Sequence, residues 1–417
     1  MHVLHLSYSD KHGGAARATF RIHESLIKEG LQSQLLVRNK VTQDDSVTMH
    51  NPGFNMSRNK LRKILAKIHN TSNKVVHSYN FLPTHIHRFI AVIDPDIVHL
   101  HWVGGGLISI SEISKINKPI VWTLMDQWPF CGAEHYDDLN YPERYVQGYK
   151  RSTFPKEYKG FDLDAWVWRR KMKYWKGNNF LVAATCNWMK HCAEKSVLFQ
   201  NNHIELLPQC VNENVFKPLS KTLCKNLFNL DTTKEYILFS GQNPLMQTRK
   251  GFHLLKESLY MLVNQNKISD NVELLILGEK NSLTKFDIAI KCHNLGILGD
   301  DLSQVALYNA ATLTVVPSIQ ENLSNIVMES LACGTPVVAF NIGGMPDMIH
   351  HLNNGYLAEE KSINDLARGI ELILIKSRRE GKRLRENSRE TFIKSYSYPI
   401  IAERHRNIYK SLINKFY

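Results

Sequence analysis

The stretch SIQENLSNIVMESLACGTPVVAF, residues 318–340, places two glutamates eight positions apart around an apolar run and then turns through Gly-Thr-Pro. An apolar strand pattern precedes it at residues 311–316, and residues 326–332 have the pattern of a helix. Residues 336–340 return to an apolar strand pattern. Strand, helix and strand in this order predict one β-α-β unit of a parallel sheet.

The same alternation of short apolar runs and helical patterns extends along the whole chain. Residues 206–218, with the sequence LLPQCVNENVFKP, interrupt it with two prolines and a polar cluster, and we place a domain boundary there. The strand patterns before and after the boundary fall at residues 3–8, 34–38, 97–102, 120–125 and 180–184, and at 236–240, 273–277, 311–316 and 336–340.

These patterns predict an α/β protein of two Rossmann-like, doubly wound domains that face each other across a cleft. The first domain is expected to span residues 1–217 and the second residues 218–397. Apolar residues at roughly helical spacing in 398–417 predict a C-terminal helix that crosses back to the first domain.

Composition narrows the classes of function. The 417 residues include 52 Lys and Arg against 39 Asp and Glu, a formal net charge of +13, which favours anionic partners. The seven cysteines are scattered and never spaced as C-x-x-C, which argues against a disulfide framework and a zinc ribbon. The sequence shows neither a signal-peptide pattern nor an apolar run of membrane-spanning length. We therefore expect a cytoplasmic protein, peripheral on a membrane at most.

Two basic segments have two interpretations each. Residues 59–70, NKLRKILAKIHN, and residues 165–177, AWVWRRKMKYWKG, combine cations with apolar or aromatic side chains. Either segment is an interfacial helix on an anionic membrane surface, or a helix whose apolar stripe packs on its own domain. Nucleic acid is not an expected partner, because the cations are not interleaved with a recognisable nucleic-acid-binding module.

Two short motifs are candidate phosphate sites. Gly13 and Gly14, in SDKHGGAARATF after the first strand pattern, would let a phosphate approach the backbone at a helix N-terminus. The alternative is a tight turn without a ligand. In the second domain, Arg249 and Lys250 begin a helix pattern, where cations oppose the helix dipole unless an anion binds there. The alternative for this pair is solvation without a function.

The two glutamates of the first stretch, Glu321 and Glu329, suit a nucleoside diphosphate sugar. Carboxylates accept hydrogen bonds from vicinal hydroxyls, and such a ligand carries hydroxyls at both ends of its diphosphate. The backbone amides of Leu323, Ser324 and Asn325, at the start of the helix, would face the diphosphate. The alternative is that Glu321 caps the helix and Glu329 is a solvated helix residue.

A family resemblance covers nearly the whole chain. Residues 321–349, ENLSNIVMESLACGTPVVAFNIGGMPDMI, closely resemble the E-x7-E donor-site motif of retaining glycosyltransferases of family 4, which have the GT-B fold. RKG at residues 249–251, the Gly-Gly loop and the segment between the domains occur in the expected order. The stretches DIVHLHW and VWTLMDQWPFCGAEHY, residues 96–102 and 121–136, are similar to the branch that makes colanic acid and other surface polysaccharides.

The resemblance implies roles for the donor-site residues. Glu321 would contact the donor sugar, and Glu329 the ribose. Lys250, helped by Arg249, would neutralise the departing diphosphate, with Gly14 beneath it. The base of a UDP- or GDP-sugar would stack in the turn near Leu298. The implied reaction is front-side transfer with retention at the anomeric carbon, without a metal or another cofactor.

This sequence departs from the family's pattern in three places. Met125 stands where many relatives have a histidine, and a thioether donates no hydrogen bond. Either Asp126, His101 or His135 supplies that contact, or activity is reduced. Gln242 stands where many relatives have an arginine. Arg249 would therefore have to supply more of the positive charge at the diphosphate. Some relatives have a cysteine cluster in the loop where Cys131 stands alone, and we predict no zinc in that loop.

From the sequence we expect a retaining glycosyltransferase that adds one sugar to a lipid-linked or oligosaccharide acceptor in the synthesis of a bacterial surface polysaccharide. The first alternative is a catalytically weak nucleotide-sugar binding protein, which the departures at Met125 and Gln242 favour. The second is an NAD-dependent dehydrogenase. An incomplete glycine fingerprint and the basic end of QLLVRNK, residues 34–40, count against the dehydrogenase.

Overall fold

The computed structural model describes residues 1–50, 61, 64–65, 67–69, 71–141, 143–158, 160–241, 243, 245–279 and 288–416. The chain divides into two compact units. The first comprises Met1–Gln209 together with Ala402–Tyr417, and the second comprises Cys210–Ile401. The division lies eight residues before the boundary expected from the sequence.

The first unit is built on a seven-stranded parallel sheet with the order β3-β2-β1-β4-β5-β6-β7. Val3, Leu4 and Leu6 of β1 are fully buried, as expected for a strand that is covered on both faces. The strands are β1 (His2–Ser9), β2 (Gln32–Asn39), β3 (Val47–Met49), β4 (Ile97–Leu100), β5 (Ile120–Leu124), β6 (Leu181–Ala184) and β7 (His203–Leu206).

Helices connect these strands. The first begins directly after Gly13, and an aspartate, Asp162, caps the fifth by accepting a hydrogen bond from the Ala165 amide. The helices of this part of the chain are α1 (Gly14–Lys28), α2 (Ile86–Ile93), α3 (Ile110–Ile113), α4 (Arg144–Gln147), α5 (Leu163–Trp175) and α6 (Asn187–Lys195).

The second unit has a six-stranded parallel sheet with the order β10-β9-β8-β11-β12-β13. Its core is aliphatic and includes Ile237 and Leu274 of neighbouring strands and Ile370 of a covering helix. The strands are β8 (Glu235–Ser240), β9 (Val272–Leu277), β10 (Cys292–Asn294), β11 (Leu313–Val316), β12 (Val337–Phe340) and β13 (Gly355–Ala358).

The helices of the second half include one long element that changes direction at Glu380, where φ is −132°. They are α7 (Lys221–Leu227), α8 (Phe252–Asn264), α9 (Asp301–Ala310), α10 (Asn325–Ala332), α11 (Met345–Met348), α12 (Ile363–Tyr396) and α13 (Tyr398–Phe416). The two parallel, Rossmann-like domains predicted from the sequence are thereby confirmed.

The C-terminal helix α13 lies with the first unit from Ala402 onward. The Tyr409 hydroxyl lies 2.6 Å from Nδ1 of His99 on β4, and the Arg406 guanidinium donates to the backbone carbonyl of Glu29 after α1. Both contacts are made by side chains that the sequence placed in a closing helix.

Of the two basic segments, one can be followed in the structure. Residues 165–177 lie largely in α5, where Lys171 is fully buried and donates to the carbonyls of Trp128, Cys131 and Gly132. That helix therefore packs on its own unit. Half of residues 59–70 lie outside the described residues, as does Gln242, so their interpretations rest on the sequence. No helix among the described residues is both long and apolar enough to cross a membrane.

The order of the strands in each sheet indicates where a ligand-binding site can form. In each sheet the chain leaves the first strand toward one side and later returns to its other side, between β1 and β4 in the first unit and between β8 and β11 in the second. Open parallel sheets bind ligands outside the carboxyl ends of the strands at such a switch point. The loops after these four strands, and after neighbouring strands at the same edge of each sheet, are therefore where candidate residues are expected.

Candidate functional site

In the second unit, the loops after β8 and β11 meet in a cluster of charges around Glu321. Lys250 Nζ lies 2.5 Å from Glu321 Oε2, and Arg249 Nη1 lies 3.4 Å from the same oxygen. Arg249 also donates to the carbonyl of Gln320 at 2.6 Å. All three charged residues are predicted from the sequence, with the cations at a diphosphate and the carboxylate at a sugar. The structure brings them together as one ion-paired group.

Two glycines let the loops approach closely enough to form this cluster. Gly251 has φ of +71°, and a Cβ added there would lie 1.7 Å from the carbonyl oxygen of Pro317. Gly343 has φ of +51°, and its added Cβ would lie 1.8 Å from the carbonyl oxygen of Glu321. Only a glycine fits these positions, so backbone packing fixes Lys250 against Glu321.

Glu321 is an ionised carboxylate at neutral pH. Burial alone would raise its pKa, but the charges of Lys250 and Arg249 outweigh burial and lower the pKa to about 2. Ser318 Oγ donates to the same carboxylate oxygen at 3.4 Å. Glu321 does not cap the following helix, because α10 has Ser324 as its N-cap residue. The alternative interpretation of Glu321 as a helix cap is therefore wrong.

The low pKa of Glu321 predicts an acid-dependent loss of stability. A carboxylate with a lower pKa in the folded than in the unfolded state stabilises the fold above its unfolded pKa, and this contribution disappears as the pH falls through the folded pKa. Between pH 4.5 and 2 the wild-type protein should lose about 3 kcal/mol more unfolding free energy than Glu321→Gln. Urea unfolding at a series of pH values measures the difference. Parallel pH curves for the two proteins would contradict the assignment.

Glu329 is buried on α10, with 2% of its surface exposed. The Tyr308 hydroxyl on α9 donates to its Oε2 at 2.7 Å. The alternative interpretation of Glu329 as a solvated helix residue is therefore wrong. Tyr308 was missed in the sequence, because a tyrosine inside a helix pattern gives no sign that it faces a carboxylate 21 residues later.

The N-terminus of α10 follows the Glu321 loop directly. Leu323 and Ser324 are buried before the helix, which begins at Asn325. Amides at the start of a helix carry the positive end of its dipole and suit an anion. The cations and the helix N-terminus thus place positive charge on both sides of the Glu321 loop.

The turn near Leu298 follows β10 at the same edge of the second sheet. The Leu298 carbonyl accepts a hydrogen bond from Gln304 at 3.3 Å. A Cβ added at Gly299 would meet nothing within 4 Å, and Leu302 is 73% exposed. This turn is therefore open enough for a flat ring to stack against it.

In the first unit, Gly13 and Gly14 stand at the carboxyl end of β1. Gly13 is the N-cap residue of α1, with φ of +93°, and a Cβ added there would meet nothing within 4 Å. The first turn of α1 contains no acidic residue. The backbone is therefore exposed at a helix N-terminus, as an anion site requires.

Asp126 follows β5 and is held by three donors. Its Oδ2 accepts from Trp102 Nε1 at 2.7 Å and lies 2.5 Å from His135 Nδ1, and its Oδ1 accepts from the Trp128 amide at 3.0 Å. His135 Nε2 lies 2.7 Å from Ser78 Oγ. Asp126 and His135 were predicted from the sequence as candidate site residues, whereas their partners Trp102 and Ser78 were not. Ser78 lies in a segment with no motif.

His101, the other catalytic candidate, lies in a buried group of histidines. Its Nε2 is 2.8 Å from His5 Nδ1, and its ring stacks on that of His99 at 4.0 Å between centroids. Burial, reinforced by repulsion from neighbouring histidines, lowers the pKa of His101 well below its usual value. Met125 is buried as well, with Sδ 3.4 Å from Gln209 Nε2. Both side chains are thus buried, His101 with 2% and Met125 with 7% of the surface exposed.

Comparisons with known proteins show which sequences and structures the chain resembles. Residues 223–391 match the family model of glycosyl transferases group 1. A D-inositol 3-phosphate glycosyltransferase of Pseudarthrobacter chlorophenolicus is 28% identical over 181 residues, which cover 41% of this chain and 42% of that protein. The chain thus aligns with less than half the length of this curated relative.

Solved structures match over the whole chain. Sucrose-phosphate synthase from Thermosynechococcus elongatus superposes with a TM-score of 0.69 at 16% identity and covers 99% of both chains. Anabaena HepE in complex with UDP-glucose superposes with a TM-score of 0.65 at 13% identity, over 99% of this chain and 100% of that one. Residues 223–391 thus match glycosyl transferases group 1, and the chain as a whole has the GT-B fold.

Proposed function

We propose that this protein is a retaining glycosyltransferase that moves a sugar from a UDP- or GDP-sugar to a lipid-linked or oligosaccharide acceptor in surface polysaccharide synthesis. The family match of the second unit and the UDP-glucose that HepE carries support a nucleotide-sugar donor. The polysaccharide role rests on the resemblance of residues 96–102 and 121–136 to the colanic-acid branch.

The contact between Lys250 and Glu321, 2.5 Å at the sheet switch point, carries the proposal. An ammonium group has three donor hydrogens, so Lys250 can keep one bond to Glu321 and donate another to a phosphate oxygen. Glu321, as an acceptor-only carboxylate, suits the hydroxyls of a sugar. One ion pair thus presents a phosphate-binding group and a hydroxyl-binding group side by side, as the junction of sugar and diphosphate requires.

The leaving diphosphate needs positive charge as the glycosidic bond breaks. Lys250, Arg249 and the first amides of α10 supply it from fixed positions, which lowers the barrier without reorganisation during the reaction. We therefore propose that transfer needs no metal ion. Glu329 would bind the ribose hydroxyls, since a carboxylate accepts hydrogen bonds from vicinal hydroxyls.

For the first unit we propose acceptor binding, with Asp126 as the group that accepts the proton of the acceptor hydroxyl. Three donors fix this carboxylate, so it is oriented before any substrate binds. His101 has no part in this proposal. The basic residues of the 59–70 segment would bind an anionic membrane surface or the phosphates of a lipid-linked acceptor, at the inner face of the cytoplasmic membrane.

A catalytically weak nucleotide-sugar binding protein is the second candidate, and Met125 favours it. The thioether is buried against Gln209 and can neither donate a proton nor act as a base. Such a protein would bind the donor through the Lys250 and Glu321 pair without turning it over.

A donor panel tests both candidates. UDP-, GDP- and ADP-sugars at about 100 times their dissociation constant should raise the melting temperature by roughly 5–10 °C for the correct donor. Product formation with extracted lipid-linked acceptors, without any added metal ion, should accompany the shift, with retained configuration by NMR. A shift without product on any acceptor identifies the binding protein, and no shift with any donor contradicts both candidates.

A further inference from the structure

Four titratable side chains of the first unit converge at a place that the proposed transfer does not use. We call His69, His77, Glu134 and Asp164 the His69 cluster. His69 Nε2 lies 3.1 Å from one carboxylate oxygen of Asp164, and His77 Nε2 lies 3.9 Å from the other. The donor atoms of His69, His77 and Asp164 all lie within 4.8 Å of one another.

His77 presents a lone pair to this cluster. Its Nδ1 lies 2.9 Å from the carbonyl oxygen of Val75, an acceptor, so Nδ1 carries the proton and Nε2 does not. His77 Nε2 is buried and has no hydrogen-bond partner among the described residues. A ring nitrogen fixed by a backbone carbonyl on its other side has the tautomer and orientation of a metal-bound histidine.

The neighbouring residues supply negative charge. His77 and Glu134 face each other in an isolated antiparallel bridge, so their side chains leave the backbone on the same side. Glu134 Oε1 accepts from the Tyr149 hydroxyl, whereas Oε2 is buried without a hydrogen-bond partner among the described residues. Glu134 lies beside Asp164, since a Cβ added at Gly132 would lie 2.6 Å from Glu134 Oε2 and 2.7 Å from Asp164 Cβ. Two buried carboxylates side by side repel each other unless a proton or a cation lies between them.

We propose that the His69 cluster is a binding site for a divalent transition metal, with Zn²⁺ as the best fit. The ligands would be His69 Nε2, His77 Nε2 and the Asp164 carboxylate, and Glu134 would supply the second negative charge. Zinc bonds of about 2.0–2.1 Å put the ligand atoms of a tetrahedral site about 3.4 Å apart. The donor atoms of His69, His77 and Asp164 lie within 4.8 Å of one another, so modest side-chain movements would close the site around an ion. Two imidazoles and a carboxylate form a recurrent donor set for such ions.

The expected role of the ion is structural. Alternate residues of an extended pair point to opposite sides, so His77 and Glu134 face the cluster while Ser78 and His135 face Asp126. A metal would hold this bridge on one side and so fix the hydrogen bonds that orient Asp126 on the other. The lone Cys131 predicts no thiolate zinc site in this loop, whereas a site of imidazole and carboxylate ligands needs no cysteine.

Metal binding by the wild-type chain is the first test. Protein made without a histidine tag, stripped with EDTA, loaded with ZnSO₄ and desalted should retain about one zinc per chain by mass spectrometry. Zinc at about 100 times its dissociation constant should raise the melting temperature by roughly 5–10 °C. With Co²⁺, visible d–d bands should appear without thiolate charge transfer. A wild-type chain that retains no metal and shows no shift overturns the proposal.

His77→Asn is the matched variant. An asparagine amide can still donate to the Val75 carbonyl but has no atom at the Nε2 position. The variant should melt like stripped wild-type protein and bind zinc at least tenfold more weakly. His203→Asn, at an exposed histidine beside Glu205, should bind zinc as the wild type does. Equal zinc affinity of His77→Asn and wild type would also overturn the proposal, as would thiolate charge-transfer bands with Co²⁺.

Discussion

Lys250→Ala should lower kcat for sugar transfer by about 10²–10³-fold, the loss typical of removing one fixed donor from a developing negative charge. Lys250 is the cation closest to Glu321, at 2.5 Å, whereas Arg249 lies 3.4 Å away and also donates to the Gln320 carbonyl. Arg249 is therefore the more distant cation, and a backbone carbonyl holds it in place. Initial rates at saturating donor, with the donor identified by thermal shift, measure the effect.

In Lys250→Ala, a loss of stability must be distinguished from a loss of catalytic activity. Lys250→Ala leaves the buried Glu321 carboxylate with one cation fewer, so its pKa should rise. Lys267→Ala is the matched control, because it removes a lysine that is paired with Glu371 at 3.0 Å on the surface of the same unit. The control should retain wild-type kcat. If Lys250→Ala stays folded, binds donor and turns over at the wild-type rate, Lys250 does not stabilise the leaving group.

Most of the fold could be predicted from the sequence because its central strands are buried on both faces. Such strands appear as uninterrupted apolar runs, and β1, β5 and β12 lie within a residue or two of their predicted places. The strands that were not predicted are β3, β7, β10 and β13. β3 and β10 have three residues each, and β7 is half exposed, so none of these three is a buried apolar run.

The candidate site could be predicted only in part, since a motif gives residue types and spacing but not pairing. The sequence identified Glu321, Lys250 and Glu329, yet their partners depend on loops that two glycines bring together and on a tyrosine of another helix. His101 illustrates the converse. It follows a strand at the expected edge, but its side chain turns into a group of buried histidines.

Glu321→Gln and Glu329→Gln should separate the two ends of the donor. Glu321 is proposed to contact the sugar, where charge develops, so its neutral variant should lower kcat by about a hundredfold with little change in donor affinity. Glu329 is proposed to bind the ribose, which does not react. Glu329→Gln should therefore raise the dissociation constant for the donor about tenfold, the typical loss for a hydrogen bond to a charged group, and leave kcat nearly unchanged.

Steady-state kinetics and donor titrations by calorimetry give both quantities for each variant. Glu360→Gln, at an exposed residue paired with Lys361, is the control for removing a carboxylate from the second unit. Glu329→Gln is the sharper test, because it removes the charge but keeps the contact with Tyr308. The Tyr308 hydroxyl can donate to a glutamine oxygen as it does to the buried carboxylate. The opposite pattern would be a lower kcat for Glu329→Gln and a higher dissociation constant for Glu321→Gln. That result would mean that the donor binds in the reverse orientation along α10.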